Sequence, residues 1–367
     1  MITVRPVLSK ADTRLFLRVP ELIYKADPSR RYRDVRHLLR RSDYSAQGQV
    51  AHYLAESNGQ VSGRITVHTH PDRRKGAFGL LDCQDDGVTM TALLSAAEDW
   101  LKARGVTTAI GPVDPSALFL GGVLSSPAPN AEQMPASPEW LADRLVEVGW
   151  EPARSYQTWE FGERVPKQVR LISNAVQQNP GLEVVTMAQW LRTAPTDGTA
   201  DSKFLEMITE LYNRSYEGTY GFVPTSARDL GACIGYPARL DPRTTLIALH
   251  NAQPVAFAVT MAERTLLGEL PFGSLGPTVR RLLAERIHKP ESLRLALFGV
   301  LPEFRGSKLG GLSLHMYVKL VHAMHLHGMG TGVLTWTPAQ DEITAAGLSL
   351  VGAKPLHTYD FYKRTWA

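Results

Sequence analysis

Two stretches of this chain, about 200 residues apart, carry the same pattern, and a period of that size is the length of a whole domain. Residues 139–156 read EWLADRLVEVGWEPARSY and residues 342–359 read EITAAGLSLVGAKPLHTY. Aligned without a gap, Glu139, Ala142, Leu145, Val148, Gly149, Pro152 and Tyr156 match Glu342, Ala345, Leu348, Val351, Gly352, Pro355 and Tyr359. Ordinary residue frequencies give about one match in such a window, so the chain contains a duplication and must fold as two related modules.

The modules share an order of elements. Leu93, Leu94, Ala97, Trp100 and Leu101 recur at helical spacing and stop at Gly105, after which Thr107–Ile110 reads as a strand. In the second copy, Leu312, Met316, Leu320, Ala323 and Met324 stop at Gly328, and Thr331–Trp336 is the strand. Apolar spacing then resumes at Ala142, Leu145 and Val148, ends at Gly149, and gives way to the alternation of Tyr156, Thr158 and Glu160. A 3.6-residue period predicts helix, a two-residue period predicts strand, and glycine after the last periodic residue marks a helix end. The unit is strand–helix–strand–helix–strand, an α/β layer with helices packed on a mixed sheet. Residues 113–137, rich in Pro, Gly, Ser and Ala, read as a loop or lid, and the domain boundary falls near Glu163–Gln168. The expected domains are residues 1–165 and 166–367.

Composition narrows the class of protein. Of the 367 residues 44% are hydrophobic and 21% charged, with a net charge of +4, which excludes a disordered chain. Cys83 and Cys233 are the only cysteines, too few for a disulfide framework. No run approaches the roughly 18 apolar residues of a membrane span, and Met1–Arg5 leads into charged sequence without an apolar signal core. The expectation is a cytoplasmic protein with no membrane partner. Positive charge gathers in one place, where Arg30, Arg31, Arg33, Arg36, Arg40 and Arg41 surround the single acid Asp34. That cluster reads either as a solvated helix face or as a surface for polyanions.

One segment of the second copy carries chemistry. In Leu295–Gly311 (LALFGVLPEFRGSKLGG) an apolar strand ends at Val300, a proline breaks it, and a turn with Arg305, Gly306, Gly310 and Gly311 opens a helix. Backbone N–H groups at such a turn, with the helix dipole behind them, suit a pyrophosphate; a tight strand–helix connection reads the same way. No Gly-Lys-Ser/Thr closes the turn, so it is not a P-loop.

Val300-Leu-Pro-Glu-Phe-Arg-Gly resembles the acyl-CoA-binding motif of the GNAT superfamily of acyltransferases, in which a V-x-P strand end precedes Arg/Gln-x-x-Gly-x-Gly/Ala. Residues 341–352 (DEITAAGLSLVG) match the spacing of that family's next helix. Glu21–Pro28, Val61–Arg64, Gly111-Pro112, Tyr212-Asn213 and Gly221–Pro224 resemble a little-characterised bacterial group of tandem GNAT-like proteins, so the likeness covers nearly the whole chain. The resemblance implies an N-acyltransferase that takes acetyl-CoA or another acyl-CoA as co-substrate, without a metal. It implies a cofactor site at Phe298, Gly299, Val300, Arg305, Gly306, Ser307, Lys308, Leu309, Gly310 and Gly311. An acyl carrier protein or an aminoacyl-tRNA is an alternative donor, for which Arg30–Arg41 would be the docking surface. A ligand-binding protein without catalysis is the reading from a different class.

Three positions depart from the family pattern. Lys308 replaces the first motif glycine, and either adds a charge for the phosphates or crowds their amide cradle. Asp341 stands at the usual asparagine. Leu348 stands where a tyrosine often protonates the departing thiolate, so another acid serves, or the thiolate leaves unassisted, or catalysis has been lost. The first copy has no such motif after Gly79-Leu-Leu-Asp and reads as a degenerate module with a structural or substrate-shaping role.

Acyl transfer to an amine needs a base and a polarised carbonyl. The candidate catalytic residues are Glu263 as base, with Glu269 and His357 behind it, and Tyr359 and Tyr362 as donors to the thiolate. The repeat favours a structural role for Tyr359, since Tyr156 is its equivalent. His68 and His70, alternating on one strand with Asp72 nearby, are one place for a metal; His322, His325 and His327 are another but lack a carboxylate partner and read as an ordinary helix end.

Overall fold

A computed structural model describes residues 2–24, 39, 49–69, 75–115, 118, 121–125, 137–162, 164–194, 197–219, 222–237, 239–263, 292–306 and 309–366. The chain divides into two compact units, Met1–Tyr156 with His357–Ala367, and Gln157–Leu356. The division differs from a cut at the end of the first repeat, because the last strand of the chain belongs with the first unit.

Unit 1 contains strands β1 (Ile2–Pro6), β2 (Val50–Ser57), β3 (Gln60–Thr69), β4 (Lys75–Cys83), β5 (Thr108–Gly111) and β6 (Val123–Leu124), with helices α1 (Lys10–Ile23), α2 (Gly87–Lys102) and α3 (Leu141–Glu147). The strand β7 (Glu151–Phe161) begins in this unit. Strands β1 to β4 form an antiparallel meander, β5 runs parallel to β4, and the C-terminal strand β13 (Lys354–Thr365) lies antiparallel against β5, from Tyr362↔Gly111 to Thr365↔Thr108. The short β6 pairs the same strand at Tyr359↔Leu124 and Asp360↔Val123.

Local sequence explains these elements. Ser9 and Asp12 form a reciprocal capping box that starts α1, and Arg5 holds the Asp12 carboxylate at 2.7 Å. Asp86 caps α2, whose Leu93, Leu94, Ala97 and Leu101 are buried at the spacing read from the sequence. They pack with Ile65, Val67, Phe78, Leu145 and Trp150.

Unit 2 contains the rest of β7 and helix α4 (Lys167–Gln177), then β8 (Leu182–Thr186), α5 (Met187–Thr193), α6 (Ala200–Tyr216) and α7 (Ala227–Ile234). Strands β9 (Leu246–His250), β10 (Gln253–Glu263) and β11 (Ser292–Val300) follow, then α8 (Leu312–Leu326), β12 (Thr331–Pro338) and α9 (Glu342–Leu350). The sheet order is β7-β12-β11-β10-β9-β8. Strands β8 to β11 are antiparallel and β12 runs parallel to β11. Leu312, Met316, Leu320 and Met324 of α8 form one side of the core with Val169, Leu246, Val255 and Leu293. Along the chain each repeat holds the expected strand–helix–strand–helix–strand order, β4-α2-β5-α3-β7 in the first and β11-α8-β12-α9-β13 in the second, although most of β13 belongs with unit 1. No helix among the described residues is long and apolar enough to cross a membrane.

Buried histidines set a pH response. His52 shares a 2.8 Å hydrogen bond between its Nδ1 and Thr66 Oγ1, and burial, with the Arg64 guanidinium nearby, lowers its pKa to about 4. Burial also lowers His315 and His357. Unfolding lets His52 take up a proton at its ordinary pKa, so the unfolded state gains below pH 6.5. The stability is complete above pH 6.5 and is lost as pH falls towards 4. Urea unfolding should show about 2 kcal/mol less stability at about pH 5 than at about pH 8 from His52 alone. His52→Asn, which keeps an acceptor for Thr66 and does not titrate, should flatten that slope.

Candidate functional site

In unit 2 the parallel strands β11 and β12 pair from Ser292↔Thr331 to Leu295↔Leu334, and the pairing stops there. Thr335 Oγ1 donates to the carbonyls of Leu295 and Ala296, at 3.2 and 3.3 Å, and Trp336 takes a positive φ of 47°. That backbone conformation is uncommon for a bulky side chain. It lies where β12 leaves its neighbour. The other edge of β11 stays paired with β10 as far as Val300↔Ala256. Because Leu301 N–H bonds to Val255 O at 2.9 Å, the alternation of an antiparallel ladder turns the amides and carbonyls of Phe298 and Val300 away from β10. They face the side that β12 has vacated.

The carbonyls on this edge are engaged. Tyr216 Oη donates to Phe298 O at 2.9 Å, and Arg305 Nε donates to Val300 O at 2.8 Å. Arg305 also gives a hydrogen bond from Nη2 to the carbonyl of Ser215. The arginine of the motif thus ties the end of β11 to the last turn of α6. Gly299 makes that approach possible: a Cβ there would stand 2.9 Å from Ser215 Cβ and 2.5 Å from the Phe257 ring. The Ser215 hydroxyl is buried and has no hydrogen-bond partner among the described residues. An unsatisfied buried hydroxyl costs about 1–3 kcal/mol. Burial raises the pKa of Tyr216 and Tyr212, whose rings stack at 4.8 Å.

The glycine loop follows directly. Gly306 and Gly311 have φ of 96° and 90°, and a Cβ on Gly310 would meet Gly306 O at 2.8 Å. The loop is doubled back so tightly that only glycine fits at 310. Gly311 is the N-cap of α8, and neither a capping side chain nor an acidic residue satisfies the first turn. The amides of Ser313 and Leu314, backed by a 15-residue helix, make a positive end.

Unit 1 shows the same divergence with a different outcome. Strands β4 and β5 pair only from Lys75↔Thr108 to Ala77↔Ile110. The chain then turns so that Val113 N–H bonds to Phe78 O at 2.6 Å, and a Cβ on Gly79 would lie 2.1 Å from Val113 O. His68 Nε2 lies 3.0 Å from the same carbonyl, and Val113 bridges to Gly121. The chain's own backbone covers the edge of β4 that corresponds to the open edge of β11.

No family profile matches the sequence. Protein YghO of Escherichia coli (strain K12) is 22% identical, over 98% of this chain and 95% of its own. Bacterial ceramide synthase of Caulobacter vibrioides (strain NA1000 / CB15N) is 23% identical, over 99% of this chain and 97% of its own. Among solved structures, a tandem GNAT protein from the clavulanic acid biosynthesis pathway superposes with a TM-score of 0.56 at 13% identity, covering 100% of this chain and 98% of its own. The fold is that of a tandem GNAT protein. A GCN5-related glucosamine N-acetyltransferase region of a fungal multi-domain β-N-acetylglucosaminidase gives 0.59 at 14% identity, over 99% of this chain and 38% of that one.

Within this tandem GNAT fold the residues singled out from the sequence are distributed as follows. Phe298, Gly299, Val300, Arg305, Gly306, Leu309, Gly310 and Gly311 come together at the divergence of β11 and β12. Ser307, Lys308, Glu269 and the six arginines between Arg30 and Arg41 lie outside the described residues, as do His70 and Asp72. Glu263 ends β10 opposite Ser292, and its side chain is likewise outside them. Tyr359 and Tyr362 are enclosed in unit 1, at 0% and 4% exposure, with burial raising the pKa of Tyr362. His357 belongs to the same unit. Leu348 packs on the core of unit 2. Asp341 caps α9, accepting from Thr344 N–H at 3.0 Å and Thr344 Oγ1 at 2.6 Å, which holds its carboxyl below the usual range. Among the described residues no group of three or more His, Cys, Asp and Glu is placed to hold a metal. Sequence reading missed Ser215 and Thr335, since a serine in a helix and a threonine in a strand carry no signal until their neighbours are known.

Proposed function

We propose that the chain is an N-acyltransferase that uses the second GNAT copy to transfer a fatty acyl group from acyl-CoA to a long-chain amine. The open edge of β11 beside the glycine loop carries this reading, because the corresponding edge in the first copy is filled by Val113. The cradle fits a pyrophosphate: a Cβ at Gly310 would close it, and the first turn of α8 offers amides without an acidic competitor.

The co-substrate supplies an activated thioester carbonyl. The amides of Phe298 and Val300 lie on the edge where they would polarise that carbonyl. Arg305 holds the strand end and α6 in register, and the Ser215 hydroxyl beside Gly299 is a donor without a partner among the described residues. In the overall reaction the amine nitrogen bonds to the acyl carbon, the carbon–sulfur bond breaks, one proton leaves the nitrogen and the sulfur gains one. Glu263, the base expected from the sequence, pairs with Ser292, six residues of β11 before Phe298. At about 3.3 Å per residue that is about 20 Å from the open edge; it therefore takes no proton directly, and the amine loses its proton through a chain of waters. Acetyl-CoA, an acyl carrier protein and an aminoacyl-tRNA remain the alternative donors. Similarity to a bacterial ceramide synthase along nearly the full length of both chains supports an acceptor of the sphingoid-base class, a long-chain amino alcohol.

The test is incubation with long-chain acyl-CoA and a long-chain amino alcohol, reading amide by mass spectrometry and free thiol by titration. Equal yields of amide and thiol are expected, with acetyl-CoA a poorer donor. No calorimetric binding of any acyl-CoA would overturn the donor assignment. Tight binding without product would establish the non-catalytic reading, which Leu348 in place of a tyrosine favours.

A further inference from the structure

Helix α9 is apolar on two sides. Ala345 and Leu348 pack against the core of unit 2. Ile343, Ala346 and Leu350 recur at i, i+3 and i+7, which places them together on another face. All three are exposed, Ile343 by 87% and Leu350 by 47%. Scattered exposed apolar residues are ordinary; a stripe of them along one helix is not.

The surroundings of its C-terminal end are basic. A Cβ on Gly352 would lie 3.3 Å from Arg164 O and 3.7 Å from Pro166 Cγ, so the end of α9 rests against the segment that opens α4. Arg164, Lys167 and Arg170 are exposed there, and Lys354 is exposed two residues beyond Gly352. Leu171, on the second turn of α4, is 59% exposed. The acid of the helix, Glu342, stands at the opposite end.

We propose that this face of unit 2 docks onto an anionic lipid bilayer, with Ile343, Leu350 and Leu171 entering the acyl boundary and the four cations meeting lipid phosphates. The inference rests on the proposed long-chain amine, which partitions into a bilayer and must be collected from it. The contact is peripheral and spans nothing. A second copy of the chain is a poorer occupant, because a two-fold interface would set the same cations against one another.

Flotation of the full chain with vesicles of phosphatidylcholine, and of phosphatidylcholine mixed with phosphatidylglycerol, tests this. The expected result is binding to the anionic vesicles that weakens with salt. The double variant Ile343→Glu, Leu350→Glu should lose it by about tenfold or more, and Lys167→Glu, Arg170→Glu should lose the preference for anionic lipid. All four side chains are exposed, and unchanged thermal melting will show that the variants fold. Equal binding to both vesicle types, no binding, or a double variant that binds like the wild type would overturn the proposal. So would light scattering that finds a dimer broken by Ile343→Glu. Acyl-CoA titration without vesicles separates the two claims. A chain that binds acyl-CoA and ignores vesicles loses only the docking surface; one that binds vesicles and no acyl-CoA loses the proposed function.

Discussion

Arg364→Ala should destabilise unit 1 by about 3 kcal/mol. Arg364 Nη1 donates to Glu98 Oε1 at 2.8 Å and to Val148 O at 2.7 Å. The Glu98 side chain is only 8% exposed. Its other donors are the indoles of Trp150 and Trp366, at 3.2 and 3.3 Å, and Lys102 Nζ at 3.7 Å. Removing the guanidinium leaves a buried carboxylate facing two neutral donors and a lysine that is 44% exposed. Breaking an enclosed ion pair from one side costs about 3–5 kcal/mol, and Arg364, itself partly in water, sets the lower end. Urea unfolding will read the loss. Adding Glu98→Gln should recover part of it, since a neutral amide no longer needs a cation there. A loss below about 1 kcal/mol would mean that water solvates the carboxylate as well as the guanidinium does.

Ser313→Asp should weaken acyl-CoA binding about a hundredfold while leaving the fold intact or slightly firmer. Ser313 is exposed in the first turn of α8, which has no acidic residue. A carboxylate there complements the helix dipole and stabilises by about 0.5 kcal/mol. The same charge, about 5 Å from a pyrophosphate at an effective dielectric near 20, repels it by about 3 kcal/mol. Stability and affinity therefore move in opposite directions, which a merely damaged helix would not produce. Calorimetry with CoA and thermal melting give the two readings. Unchanged affinity would move the phosphate away from this helix end.

Much of this architecture is legible in residues. The spacing of Leu312, Met316, Leu320 and Met324 gives α8, and the seven matches between the repeats give the duplication. Gly310 and Gly311 are legible as a tight turn, Gly311 because few other residues tolerate its positive φ and Gly310 because a side chain would meet Gly306 O. What escapes the sequence is set by partners distant along the chain. Arg305 reads as part of a cofactor site, and only the fold shows that its guanidinium caps the carbonyls of Val300 and Ser215. The filling of the first notch by Val113 depends on a loop whose composition announces only a loop. Tyr359 and Tyr156 match in the repeat and are both buried, so periodicity read their environment correctly without revealing that β13 completes unit 1.

The placement of β13 has a consequence for synthesis. Unit 1 begins at the N-terminus, yet its sheet lacks the strand opposite β5 until residues 357–365 exist. A ribosome extending the chain at roughly 5–20 residues per second must make all of Gln157–Leu356 before that edge is covered. Unit 2 is complete first, and the first half of the chain waits with an unpaired β5, the kind of edge that recruits other chains. Expression of the first half alone should therefore yield aggregates, and a chaperone that shields strand edges should matter more for this protein than for a single-copy relative.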